Sequence, residues 1–112
     1  MAKVELKFGE LSGGGKYNTD SFTATSSYHT FDAGFAPKYV VIYAKVVNYS
    51  ATTISIFRID VEANKADNFQ NGTWKNDLSS WLGNYIVING TTIQYKAANS
   101  YYQSDVIIDA FG

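Results

Sequence analysis

The chain has 112 residues, 46% of them apolar and 17% charged, with nine Lys or Arg against ten Asp or Glu and no cysteine. That length suits one small domain over residues 1–112 and leaves no room for separate cofactor-binding and catalytic halves. The missing cysteines exclude disulfides, thiolate chemistry and cysteine-ligated zinc, and a net charge of -1 supplies no field to attract nucleic acid.

The beginning, Met1 to Phe8, alternates charge and hydrophobe without a long apolar core, so it does not read as a secretion signal. Nothing in the chain reaches the length of a membrane span, and no membrane insertion is expected. From Lys3 to Phe8, Val4, Leu6 and Phe8 share one parity, which predicts a first strand. Gly13-Gly14-Gly15 then predicts a loop. Ser21 to Thr25 is expected to be a short strand with Phe22 inward, and Tyr28 to Phe35 an extended piece stopped by Ala36-Pro37.

Tyr39 to Val47 is the densest β-forming run, apolar on both parities, and predicts a central strand covered on each face. Asn48-Tyr49-Ser50 closes it. In Thr53 to Val61 the apolar parity changes between Ile56 and Phe57, as a β-bulge would produce. Asp67 to Leu82 is less regular: Asn71-Gly72 signals a turn, and Asp77 to Leu82 fits either one helical turn or a loop pinned by Trp81. Tyr85 to Ile88, Asn89-Gly90 and Thr91 to Tyr95 read as a hairpin whose type I′ turn is Asn89-Gly90. Asp105 to Phe111 supplies the last strand, with Val106, Ile108 and Ala110 on one side. Eighteen aromatics and many short polar turn formers fit the same picture. The expected fold is all-β, an antiparallel, jelly-roll-like β-sandwich of seven to nine short strands.

Candidate chemical sites are mostly excluded by spacing. His29 is the only histidine, no Gly-x-Ser-x-Gly elbow places a nucleophile, and a structural or surface role is expected for it. Arg58, Asp60 and Glu62 should share one strand face as a charge-balanced solvated surface, while Asp32, Asp105 and Asp109 are scattered. Gly13 to Lys16 lacks the spacing of a phosphate loop. Asp67 to Leu78 fails as an EF-hand, because Phe69 and Leu78 stand where oxygen ligands are needed. The three sequons, at Asn48, Asn71 and Asn89, read as turns. No catalytic centre, metal or cofactor is expected. One ligand-binding cluster is: Trp74, Trp81, Tyr101 and Tyr102 stand between strands with Asn76 and Asp77 close in sequence, and such rings beside amide and carboxylate groups can stack on a sugar and bond its hydroxyls.

The stretch Phe31-Asp32-Ala33-Gly34-Phe35-Ala36-Pro37-Lys38-Tyr39-Val40-Val41-Ile42-Tyr43 resembles a recurrent segment of small β-sandwich domains in bacteriophage tail-tip, baseplate and fibre proteins. There a Gly-Phe-x-Pro-Lys/Ser-Tyr/Phe-Val element leads into a hydrophobic strand. The ending Asp105 to Gly112 is similar to their closing strand, which finishes with Ala-aromatic-Gly. In this reading Gly34 permits a tight bend, Phe35 caps the core and Pro37 fixes the approach to the central strand. The resemblance implies a non-catalytic structural or attachment component of a virion, made in the bacterial host cytoplasm. It also implies a homo-oligomer, a trimer before other states, with other virion proteins as partners and a host surface glycan as a further one. No heptads mark a coiled-coil stem. The alternative expectation is a carbohydrate-binding module that recognises a cell-surface or plant-type polysaccharide through the loop aromatics.

Overall fold

A computed structural model describes residues 15–47, 52–70, 72–75, 82–97 and 103–112. Nine strands occur among them: β1 (Tyr17–Ala24), β2 (His29–Asp32), β3 (Tyr39–Val47), β4 (Thr52–Asp60), β5 (Lys65–Gln70), β6 (Thr73–Lys75), β7 (Ile86–Asn89), β8 (Thr92–Tyr95) and β9 (Gln103–Phe111). They form two antiparallel sheets, β1-β9-β3-β4-β5-β6 and β2-β8-β7, as the alternating apolar pattern requires. The expected strand at Lys3 to Phe8, the loop glycines 13 and 14, the closing turn at 48–50 and the segment from Asp77 to Trp81 lie outside the described residues.

The core is the space between the sheets. Val40, Ile42 and Ala44 of β3 are 0% exposed, flanked by Val106, Ile108 and Ala110 of β9 and by Phe57 and Ile59 of β4. Phe31, Ile86, Ile93 and Tyr95 supply the facing layer from the small sheet. The large sheet places Ala24, Ala44, Ala66 and Ala110 on this side, small residues that leave volume for the bulky groups of the shorter sheet. Phe22 points inward, as its parity predicts, and packs against the cluster.

The two segments that carry the resemblance meet in space. Asp32 Oδ1 accepts the Gly34 amide at 2.9 Å, and Gly34 has φ +81°, a left-handed conformation that glycine adopts without the Cβ clash. The Gly34 amide first, and the Thr91 hydroxyl second, hold the Asp32 carboxyl below its ordinary pKa. Phe35 then lies over Gly112 so closely that a Cβ there would stand 2.5 Å from its ring. Pro37 is buried and β3 begins two residues later. Lys38 donates to the Phe111 carbonyl at 2.8 Å, which extends the β3-β9 ladder. Gly34, Phe35 and Pro37 stand on the segment that carries the chain from β2 of the small sheet into β3 at the centre of the large one.

Three local expectations need correction. The β3-β4 and β4-β5 registers run without interruption, so there is no bulge at Ile56-Phe57. The inward position is filled instead by Ser55, whose Oγ accepts from Asn68 Nδ2 at 2.7 Å, while Ile54 and Ile56 lie on the outer face of a straight strand. The small-sheet hairpin turns at Gly90-Thr91 and not at Asn89-Gly90, since Asn89 pairs with Thr92. Gly90 has φ +59° and Asn89 stays in the ladder, so one positive φ at the first turn position suffices, the pattern of a type II′ turn. This register sets Ile88 opposite Ile93 and Ile86 opposite Tyr95, pairing large apolar groups on the core face. Finally, β3 is central but is not covered on both faces. Beyond its inward face, Tyr39 and Val47 are 55% and 44% exposed.

Candidate functional site

Pairing registers assign every outward side chain of the large sheet to a row. One row runs Phe111, Tyr39, Asp60, Lys65; the next Asp109, Val41, Arg58, Asp67; the next Ile107, Tyr43, Ile56, Phe69, Trp74; and the next Asp105, Lys45, Ile54. The small sheet turns Thr30, Asp32, Thr92 and Gln94 outward, with Gln94 Nε2 bonded to Thr30 Oγ1 at 3.2 Å. Apart from half-buried Val87 its outer face is thus polar, as a solvated face should be. The large sheet differs: Val47, Ile54, Ile107 and Trp74 are 39% to 44% exposed on it, with Tyr43, Ile56 and Phe69 half-buried between them.

The face has two halves. Towards the end of β3 it is mostly apolar, built on Ile54, Ile107, Tyr43, Ile56 and Phe69, with exposed Lys45 and Asp105 in the row of Ile54. Towards the start of β3 it is a charged cleft of about 380 Å³ lined by Tyr39, Val41, Arg58, Asp60, Lys65 and Asp67. Trp74 stands where the halves meet. The Arg58 guanidinium carbon lies 3.7 Å from its ring centroid, the Phe69 ring is 5.2 Å away, and Arg58 Nη2 donates to Asp67 Oδ2 at 3.1 Å. Cation–π attraction and a charge-assisted bond together fix a side chain that is otherwise long and mobile. Along the opposite margin Tyr17 donates to Asp109 Oδ1 at 2.7 Å, and that bond, before partial burial, raises the Tyr17 pKa.

Of the expected ligand-binding residues, Trp74 is brought to Arg58 and Phe69, whereas Trp81, Tyr101, Tyr102, Asn76 and Asp77 lie outside the described residues. Arg58 and Asp60 do share a face, but Glu62 falls beyond the end of β4, and the carboxylate that pairs with Arg58 is Asp67 of the next strand. In the sequence Tyr39 reads as a strand residue within the Phe31 to Tyr43 segment, with nothing local to mark it as a site. Its parity relative to buried Val40 was the available signal, but whether a second layer covers that parity is decided by the fold. Asp67 to Gln70 belongs to a straight strand whose side chains alternate between faces, which is no geometry for a calcium loop.

His29 lies elsewhere, at the margin where β1 and β2 bring the two sheets together. Its Nε2 is 2.7 Å from Asp20 Oδ2 and its ring stacks on Phe22 at 3.7 Å. This is a polar tie between sheets: the side chain is 37% exposed, and among the described residues its hydrogen-bond partner is Asp20. Tyr28 beside it donates to the Asn84 carbonyl and carries the Lys96 ammonium over its ring at 4.6 Å. Among the described residues no three His, Cys, Asp or Glu side chains group as metal ligands, and no helix is long and apolar enough to cross a membrane. No family model, curated protein or solved structure matches the chain.

Proposed function

We propose that this protein is a non-catalytic structural or attachment component of a bacteriophage particle, assembled in the bacterial host cytoplasm and acting through protein–protein contacts. The observation that carries the contact reading is the apolar half of the outer face of the large sheet, where Val47, Ile54 and Ile107 stand 44%, 44% and 41% exposed. A sheet needs one buried face to fold, and this one has it in the core. A second apolar face on the same strands adds nothing to the folded monomer and is a liability unless another surface covers it. Full burial of such a side chain contributes about 1.5 to 3 kcal/mol, so covering the exposed two fifths of each contributes about 0.6 to 1.3 kcal/mol, which holds protomers together when several act at once. The virion setting rests on the resemblance of residues 31–43 and 105–112, and from it we take a trimer as the expected assembly.

Sedimentation equilibrium at micromolar concentration tests the contact reading. The expected mass is three times the 12.4 kDa of the chain. Ile54→Lys should return it to the monomer mass, because the new ammonium stands directly opposite Lys45 and a covered like-charged pair is strongly unfavourable. A wild-type chain that stays monomeric at 100 μM, a concentration of about 10⁻⁴ M at which even weak specific contacts register, would discard the reading.

A further inference from the structure

We propose that the charged half of the same face is a binding site for a neutral glycan, with Tyr39 as its stacking platform and Asp60, Arg58 and Asp67 as its hydroxyl-bonding groups. The proposal deepens the attachment side of the function proposed above, and rests on that reading only for its biological setting. Tyr39 is 55% exposed, more than any other large apolar side chain among those that stand out of the described fold. It sits directly opposite Asp60, which is opposite Lys65, and the adjoining row holds Val41, Arg58 and Asp67. With strands about 4.8 Å apart and same-face residues about 6.8 Å apart, these two rows cover about 10 by 7 Å, the footprint of a monosaccharide or disaccharide.

The chemistry of the lining selects the ligand. Arg58 and Lys65 balance Asp60 and Asp67, so the cleft has no net charge with which to hold a polyanion or a polycation. What it does have is planar groups that bond in pairs. A carboxylate offers two acceptor oxygens and a guanidinium a fork of donors, and vicinal hydroxyls of a sugar ring both donate and accept at that spacing. An exposed phenol ring beside them matches the C–H face of the same pyranose, one apolar side and one wet edge. A flat apolar ligand would leave these charges desolvated without partners, and the balanced lining gives an anionic one no net attraction.

The groups are also held ready. Arg58 is fixed between the Trp74 ring at 3.7 Å and Asp67 Oδ2 at 3.1 Å. Asp60 Oδ1 accepts the Ala63 amide at 3.1 Å, which orients the carboxylate while its Oδ2 has no protein partner among the described residues. All of these groups except Ala63 are carried by paired strands, which position side chains more exactly than loops do, so little ordering opposes binding.

Electrophoresis of the full chain through native gels containing dextran, mannan or galactomannan, with alginate as the anionic control, tests the site. At least one neutral polysaccharide should retard the protein and alginate should not. Tyr39→Ala and Asp60→Asn should each weaken retardation at least tenfold, and Tyr39→Phe, which keeps the ring, should stay within about threefold of the original. Asp60→Asn still accepts the Ala63 amide, so an unchanged melting temperature separates lost binding from lost fold. Failure of all three neutral gels, retardation in alginate alone, or retardation indifferent to Tyr39→Ala and Asp60→Asn would overturn the site. Assembly is read independently: these variants should keep the mass of the unmodified protein, and Ile54→Lys should change the mass while keeping the retardation.

Discussion

Tyr95 shows how position converts an ordinary side chain into a pH-dependent contribution to stability. It is 3% exposed in the core, and burial pushes its pKa up to about 12. Below about pH 10 the phenol is neutral whether the chain is folded or unfolded, and its contribution is fully present. As pH rises from there, the unfolded chain loses the proton while the folded chain keeps it, so stability falls until the folded phenol also ionises. A difference of about two units corresponds to about 3 kcal/mol. Urea midpoints taken from pH 9 to 12 should therefore fall more steeply for the unmodified protein than for Tyr95→Phe. Identical slopes would show that the buried phenol is not the source. Gly34 is the backbone counterpart: its left-handed φ, and not any crowding around its missing Cβ, sets the residue type there.

At the scale of the strand, the pair Ser55 and Asn68 explains why β4 does not follow its own hydrophobic pattern. Both are nearly buried, at 7% and 4% exposure, and Asn68 Nδ2 donates to Ser55 Oγ at 2.7 Å and to the Ile56 carbonyl at 3.1 Å. A satisfied polar pair tolerates an inward position that a lone serine would not. Asn68→Ala should cost about 2 kcal/mol in urea unfolding, because Ser55 then loses its donor inside the sheet. The combined Ser55→Ala and Asn68→Leu should recover at least half of that loss. A double variant as weak as the single one would mean that the pair contributes through shape alone. The parity change at Ile56-Phe57 was visible in the residues, but its cause was the partner strand, and Asn68 lies thirteen positions away from Ser55.

For the whole molecule, the contrast between two outer faces matters most. The small sheet shows hydroxyls and amides to water, while the large one shows Ile54, Ile107, Val47 and Trp74 next to a charged cleft. An assembly formed through the apolar half would stabilise the folded state by mass action, so the melting temperature should rise over a hundredfold increase in protein concentration. A melting temperature independent of concentration, measured by calorimetry, would count against assembly whatever mass is seen at one loading. On the proposed function, the division of the face separates the residues of chain-to-chain contact from those of glycan contact.

Much of this was already written in the chain. The β-forming runs at Tyr39 to Val47 and Asp105 to Phe111, the inward Phe22, and the bend at Gly34 to Pro37 depend on neighbours within a few positions, where side-chain propensity and turn chemistry act directly. The short β5 and β6, the hairpin register and the composition of the outer face were not legible, because each depends on which strand lies alongside. Arg58 meets Asp67 and Trp74 only after β4, β5 and β6 pair. Tyr39 is an exposed platform only because the second sheet closes over Val40 and leaves the opposite parity bare. A residue's parity is local, but whether that parity faces a second layer or water is a property of the packed whole.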